Sequence, residues 1–199
     1  MDQIGKLIRG QFLYYHLKFI TMKLEIIKQP ADILQQRTEE ITQERLESDN
    51  LQTLIDNMIE TMHSADGVGL AGPQVNKNKR ITIISSHALE DIDHELIDNS
   101  EDLPLINPYW EKLDKKQTVD QEACLSIPNT FGKVKRWKNI EVKALDRKGN
   151  KLKFKASNYL ARVVQHEVDH LEGVLFTEKA TEIQKVDPIE KAVKNRDNI

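Results

Sequence analysis

Residues 159–171 constrain this chain more than any other stretch, because they join a helical apolar period to His166-Glu167-Val168-Asp169-His170. Leu160, Val163, Val164 and Leu171 fall on one face at helical spacing. The segment is therefore expected to be a helix packed by that face. Residues four apart lie about one turn apart on the same side, so His166 and His170 can offer ring nitrogens to one metal ion. Glu167 flanks that ion, where a carboxylate commonly serves as the general base that activates water. The fold must then bring a third ligand to this helix.

Cys124 is the chain's one cysteine, within Glu122-Ala123-Cys124-Leu125-Ser126. A lone cysteine cannot close an intramolecular disulfide, which points to a reducing compartment. By itself it would be read as a small buried residue. With the histidine pair it completes a set of three ligands that leaves a fourth position open, the pattern of a catalytic rather than a structural site.

A third segment, Gly67-Val68-Gly69-Leu70-Ala71-Gly72-Pro73-Gln74, carries three of the eight glycines. Such a loop can approach a ligand closely and present its amides and carbonyls. It follows a helix and lacks a Gly-Lys-Ser/Thr ending, so it does not read as a phosphate loop. Gly67 is expected to end the preceding helix.

These three segments, in this order, resemble the motifs of the peptide deformylase family: Gly-x-Gly-Leu-Ala-Ala-x-Gln, Glu-Gly-Cys-Leu-Ser and His-Glu-x-x-His. The resemblance runs from about Ile26 to Glu178 and includes Asn107-Pro108, Val134-Lys135-Arg136 and residues 140–149. Two positions depart from it. Ala123 stands for the usual Gly, where a Cβ would crowd the backbone if φ were positive, and Gly72 stands for the usual Ala.

The resemblance implies hydrolytic removal of the formyl group from N-formylmethionyl nascent polypeptides, with Cys124, His166 and His170 as metal ligands and Glu167 as base. It assigns the oxyanion to the Gln74 side-chain amide and the Leu125 backbone N–H, which are neutral donors aimed at developing charge. Gly69 would pair its backbone with the substrate. Val68, Leu125, Tyr159 and Val163 would form the methionine pocket. Iron(II) is the implied ion, with zinc, nickel and cobalt as alternatives that Cys/His ligation also suits. A transient contact with the ribosome is a further expectation.

Two rival readings are weaker. A metallopeptidase of the His-Glu-x-x-His kind normally takes its third ligand downstream, whereas Cys124 lies upstream. A catalytically impaired metal-binding relative is opposed by the intact Glu167 and Gln74.

With 199 residues and a net charge of −3, the chain suits one catalytic domain and shows no sign of a nucleic-acid surface. Lys133, Lys135, Arg136 and Lys138 read as a solvated strand edge. No apolar stretch approaches the ~20 residues that span a bilayer. The bacterial cytoplasm is the expected compartment, or an organelle in a eukaryote. Residues 1–22 read as an N-terminal extension, 23–180 as the catalytic domain and 181–199 as a polar tail.

Leu51, Leu54, Ile55, Met58, Ile59 and Met62 predict a helix capped by Ser48 or Asp49. Residues 80–85 predict a strand. Residues 140–144 and 152–156 alternate as two arms of a hairpin whose turn lies in 146–150. Ser157 or Asn158 is expected to cap the motif helix, and 91–102 to be a loop. The fold class expected is α+β, with antiparallel or mixed sheets packed around a central helix that carries the metal motif.

Overall fold

A computed structural model of the chain describes residues 21–46, 48–89, 92 and 94–186. Most of the expected N-terminal extension and the end of the expected tail lie outside these residues. Four α-helices are assigned among them: α1 (Gln43–Leu46), α2 (Asp49–Ser64), α3 (Asn158–Leu171) and α4 (Phe176–Lys179). The strands are β1 (Gly69–Ala71), β2 (Ile81–Ile84), β3 (Leu103–Lys112), β4 (Gln117–Cys124), β5 (Ile127–Trp137), β6 (Asn139–Leu145), β7 (Lys151–Ser157) and β8 (Thr181–Lys185).

Two antiparallel sheets form. One has the order β1-β2-β3-β6-β7 and the other β4-β5-β8, so the α+β expectation holds. The hairpin β6–β7 pairs Ile140 with Ala156, Val142 with Phe154 and Ala144 with Leu152. All six of these side chains are buried, the consequence of the period-two pattern. Helix α3 lays Leu160, Ala161, Val163, Val164 and Val168 into the same apolar cluster. Burial of each of the larger four is worth about 1.5–3 kcal/mol, enough to fix the helix on the sheet.

Ser48 caps α2, its side chain accepting from the Leu51 N–H at 3.3 Å. Leu51, Ile55, Met58 and Met62 pack with Leu70, Ile81, Ile83 and Ile106 in a second cluster. The exit from α2 differs from expectation. Asp66, and not Gly67, takes the left-handed conformation with φ 52°, while the Gly67 N–H still closes the helix end on the Met62 carbonyl at 2.9 Å and its missing side chain allows close approach. A Cβ there would meet Leu125 Cδ1 at 2.9 Å.

A third cluster gathers Leu34, Cys124, Ile127, Val134, Leu175 and Phe176 around the three-stranded sheet. Thr181–Lys185, within the segment read as a polar tail, adds β8 to that sheet beside β5. Arg136 corrects another expectation. It is 3 % exposed, because Val134 and Arg136 alternate inward along β5 while Lys133 and Lys135 face solvent. Among the described residues no helix is long and apolar enough to cross a membrane.

Candidate active site

Helix α3 presents His166, Glu167 and His170 to the end of β4, where the pairing register shifts between Ala123 and Cys124. The donor atoms of Cys124, His166 and His170 all lie within 4.8 Å of one another. Cys124 Sγ is 3.2 Å from His170 Nε2. Ligand bonds of about 2.0–2.3 Å need donors a little over 3 Å apart in a tetrahedral shell, so the group fits one ion with little adjustment. Glu167 supports the fit: it is 4 % exposed, and its Oε2 finds no hydrogen-bond partner among the described residues.

The surroundings fix these donors. Glu122 lies two residues before Cys124 on β4 and pairs through Oε2 with His166 Nδ1 at 2.9 Å, leaving Nε2 for a metal. Glu122 also accepts from Arg136 Nε at 2.9 Å, Arg136 Nη2 at 2.8 Å and Arg162 Nη1 at 2.7 Å. Arg136 reaches on to Asp169 of the motif, which Lys179 also contacts at 2.6 Å. Phe176 stacks against His166 with the ring planes 27° apart.

Electrostatics follow from these contacts. Burial pushes the Cys124 thiol up, but the His170 and His166 rings outweigh it and hold the thiol well below its usual range. Burial lowers His166, yet hydrogen bonding with Cys124 and Glu122 and the charge of Glu167 push it up to about 10. Burial likewise opposes ionisation of Glu122, and there the hydrogen bonds from Arg136 and His166 win, so it stays ionised. Glu167 has no such donors. Burial raises its carboxyl above the ordinary range.

Gln74 lies in the turn Gly72–Val75 that follows β1. The Ala71 N–H donates to its Oε1 at 2.8 Å, so the amide nitrogen points the other way, 3.5 Å from Cys124 Sγ and 3.3 Å from Ser126 Oγ. Gly69 leaves room for the Glu167 side chain, since a Cβ there would stand 2.4 Å from Glu167 Oε1 and force the carboxylate to move.

A cavity of about 660 Å³ opens over the group. Val68, Gly69, Gln74, Cys124, Leu125, Tyr159, Val163, His166 and Glu167 all line it, so the structure brings together the sequence candidates. His170 lies behind that wall, 1 % exposed. Val68 and Tyr159 are exposed at the rim, whereas Val163 is buried. Ala123 also faces the cavity and its φ is not positive, so the expected backbone conflict does not arise. Gly72, by contrast, is required where it stands: a Cβ would lie 2.5 Å from the Lys79 carbonyl oxygen. Sequence reasoning missed the Glu122–Arg136–Arg162–Asp169 network, although the inward period of β5 carried a signal for Arg136.

The family model for polypeptide deformylase matches residues 23–186. The chain belongs to the polypeptide deformylase family. A peptide deformylase of Pelotomaculum thermopropionicum is 42% identical over 166 residues, covering 83% of this chain and 97% of that relative. Among solved structures, a Met-Ala-Ser-bound class I type b peptide deformylase from Acinetobacter baumannii superposes with a TM-score of 0.72 at 32% identity, over 80% of this chain and 99% of the other. The peptide deformylase of Thermotoga maritima gives 0.71 at 32% identity, over 80% and 99%. The deformylase core is therefore present nearly whole in this chain.

Proposed function

We propose that this enzyme removes the formyl group from N-formylmethionyl polypeptides, with one metal ion held by Cys124, His166 and His170 and with Glu167 as the proton carrier. The observation that carries the reading is the convergence of those three donors within 4.8 Å beside a buried carboxylate. When bound, the ion supplies Lewis acidity that brings water ionisation toward neutral pH.

Glu167 takes a proton from the attacking water as the new C–O bond forms at the formyl carbon. It delivers that proton to the amine nitrogen as the C–N bond breaks, releasing formate. A carboxyl raised by burial suits both steps, because it can hold a proton between them. The Gln74 amide and the Leu125 N–H are assigned to the carbonyl oxygen as it gains charge. The fixed orientation of Gln74 supports its role, since Ala71 leaves only the NH₂ group free to face the site.

Gly69 is assigned to backbone pairing with the substrate. Val68, Leu125, Tyr159 and Val163 are assigned to the methionine side chain, supported by their place on the cavity wall. Iron(II) is the proposed ion, with zinc, nickel or cobalt able to occupy the same ligands. Nascent chains are the proposed substrates, reached through transient ribosome contact in the bacterial cytoplasm or a eukaryotic organelle.

The test is hydrolysis of a formyl-Met peptide by protein loaded anaerobically with iron. Formate release with about one ion per chain is expected. Metal bound without formate release would favour a metal-binding protein that has lost the chemistry.

A further inference from the structure

The two groups assigned to the oxyanion come from different sheets. Gln74 follows β1 of the five-stranded sheet, and Leu125 lies in the turn between β4 and β5 of the three-stranded sheet. The Gln74 side chain meets only the neighbours of Leu125, with Nε2 3.5 Å from Cys124 Sγ and 3.3 Å from Ser126 Oγ. Two donors serve one oxygen only when both stand about 2.7–3.1 Å from it, so their spacing matters to a fraction of an ångström.

An extended segment crosses between them. The Ile27 N–H donates to the Gln74 carbonyl at 2.8 Å, and the Gln29 N–H donates to the Ser126 carbonyl at 2.9 Å. The two donors are two residues apart, so a short stretch of chain reaches both partners. Lys28 Nζ donates to the Leu125 carbonyl at 2.5 Å. Ile26 and Lys28 line the cavity, while Ile27 packs against the cluster that holds Cys124. Upstream, the segment is tied to α2: the Met22 N–H donates to Asn57 Oδ1 at 2.7 Å and the Leu24 N–H to Thr61 Oγ1 at 2.8 Å. Asn57 and Thr61 are both buried, which gives the segment a firm anchor.

We infer that residues 26–29 are a crossbar that sets the distance between the Gln74 amide and the Leu125 peptide, with the Ile27 N–H and the Lys28 ammonium as its positioning groups. This rests on the oxyanion assignment above. The crossbar touches neither the metal ligands nor Glu167 through its hydrogen bonds, so its contribution falls on the transition state and leaves metal and ground-state substrate binding alone.

The experiment compares Ile27→Pro, which removes the N–H, with Ile27→Ala, which keeps it and trims the side chain. Steady-state kinetics on a formyl-Met peptide are read together with metal content and thermal unfolding. Ile27→Pro should lower kcat about tenfold with KM within about twofold, a loss on the scale of a small donor misplacement. Ile27→Ala should retain kcat to within about twofold. Lys28 is exposed, so Lys28→Met folds regardless; it should lower kcat about threefold, and Lys28→Arg should restore it. Equal kcat losses in Ile27→Ala and Ile27→Pro would make the segment a packing element only. Unchanged kcat in Lys28→Met would overturn the inference even if Ile27→Pro failed to fold. Gln74→Leu separates the two levels: full activity there would remove the oxyanion assignment itself, whereas a loss there beside an intact Lys28→Met and Ile27→Pro would remove only the crossbar.

Discussion

The backbone of Gly69 lies against the carboxylate of Glu167 so closely that a β-carbon would stand 2.4 Å from Oε1 and 2.7 Å from Cδ. The glycine loop thus sets where this carboxylate can rest. Gly69→Ala should push the carboxylate aside while leaving the metal ligands in place. A kcat loss of about 10²-fold with metal content unchanged is expected from a base displaced by an ångström or so. Wild-type kcat in a metal-loaded Gly69→Ala enzyme would show that Glu167 has another working position.

Glu167→Gln keeps the shape of the base and removes its proton chemistry. Metal content and substrate binding should persist while kcat falls by roughly 10²-fold or more. Glu167→Asp should fail as well, because the shorter side chain cannot reach the same water. Gln74→Leu should raise the barrier by about 3 kcal/mol through loss of one oxyanion donor. Deformylation near the wild-type rate by Glu167→Gln at neutral pH would sink the proton-carrier assignment.

Metal affinity should depend on pH in a defined direction. In the metal-free site His166 is pushed up to about 10, so it carries a proton at neutral pH that the ion must expel. Affinity should therefore rise with pH through neutrality, by about tenfold per unit for one displaced proton. Calorimetric titration in buffers of different ionisation enthalpy would count that proton. Binding with no proton release would show His166 to be neutral already in the metal-free site, and full metal occupancy in Cys124→Ala would contradict the ligand role of Cys124.

Glu122 joins Arg136, Arg162 and His166 in the buried layer beneath the ligands. Glu122→Gln removes the charge that both Arg136 and Arg162 face, leaving Arg136 with Asp169 and Arg162 with backbone carbonyls, and loosens the His166 ring. A stability loss of about 3 kcal/mol is expected from breaking such a buried pairing, with metal affinity about 10–100-fold weaker. Denaturant unfolding of the metal-free protein isolates the first effect, and competition with a chelator isolates the second. Unchanged metal affinity would confine the network to folding.

Gly72→Ala would bring the chain closer to the family pattern, yet it should destabilise this protein. The added methyl meets the Lys79 carbonyl at 2.5 Å and the Lys77 carbonyl at 2.9 Å, an overpacking worth about 1–3 kcal/mol. Ala123→Gly, on an exposed face of β4, should change stability by less. Equal unfolding midpoints for wild type and Gly72→Ala would show that the 77–79 turn yields at little cost.

What could be read from the sequence follows its periods. Helix α2, helix α3 and the β6–β7 hairpin each bury an apolar face at regular spacing, and each is found where the spacing puts it, while β2 is a short run buried on both faces. Strand β4 could not be found that way. Its inward residues near the site are Glu122 and Cys124, a charge and a ligand in place of an apolar stripe. Arg136 hid among lysines that do face water. The convergence of Cys124, His166 and His170 beside Glu167 was legible because metal chemistry accepts few side chains. The 26–29 crossbar was not, because most of its hydrogen bonds come from backbone N–H groups, which any sequence except proline supplies.

Cys124 ends one strand of the smaller sheet, and His166 and His170 stand on the helix that covers the larger one, with β5, β6 and β7 between them in the chain. An ion shared by these three residues closes a long covalent loop. To the unfolded chain it acts as a disulfide would, forbidding conformations that separate the two ends, a constraint worth about 4 kcal/mol for loops of tens of residues. A protein with a single cysteine would thereby obtain a staple that thiol reductants leave intact, and a chelator should lower its unfolding temperature as a reductant does for a disulfide-bonded protein.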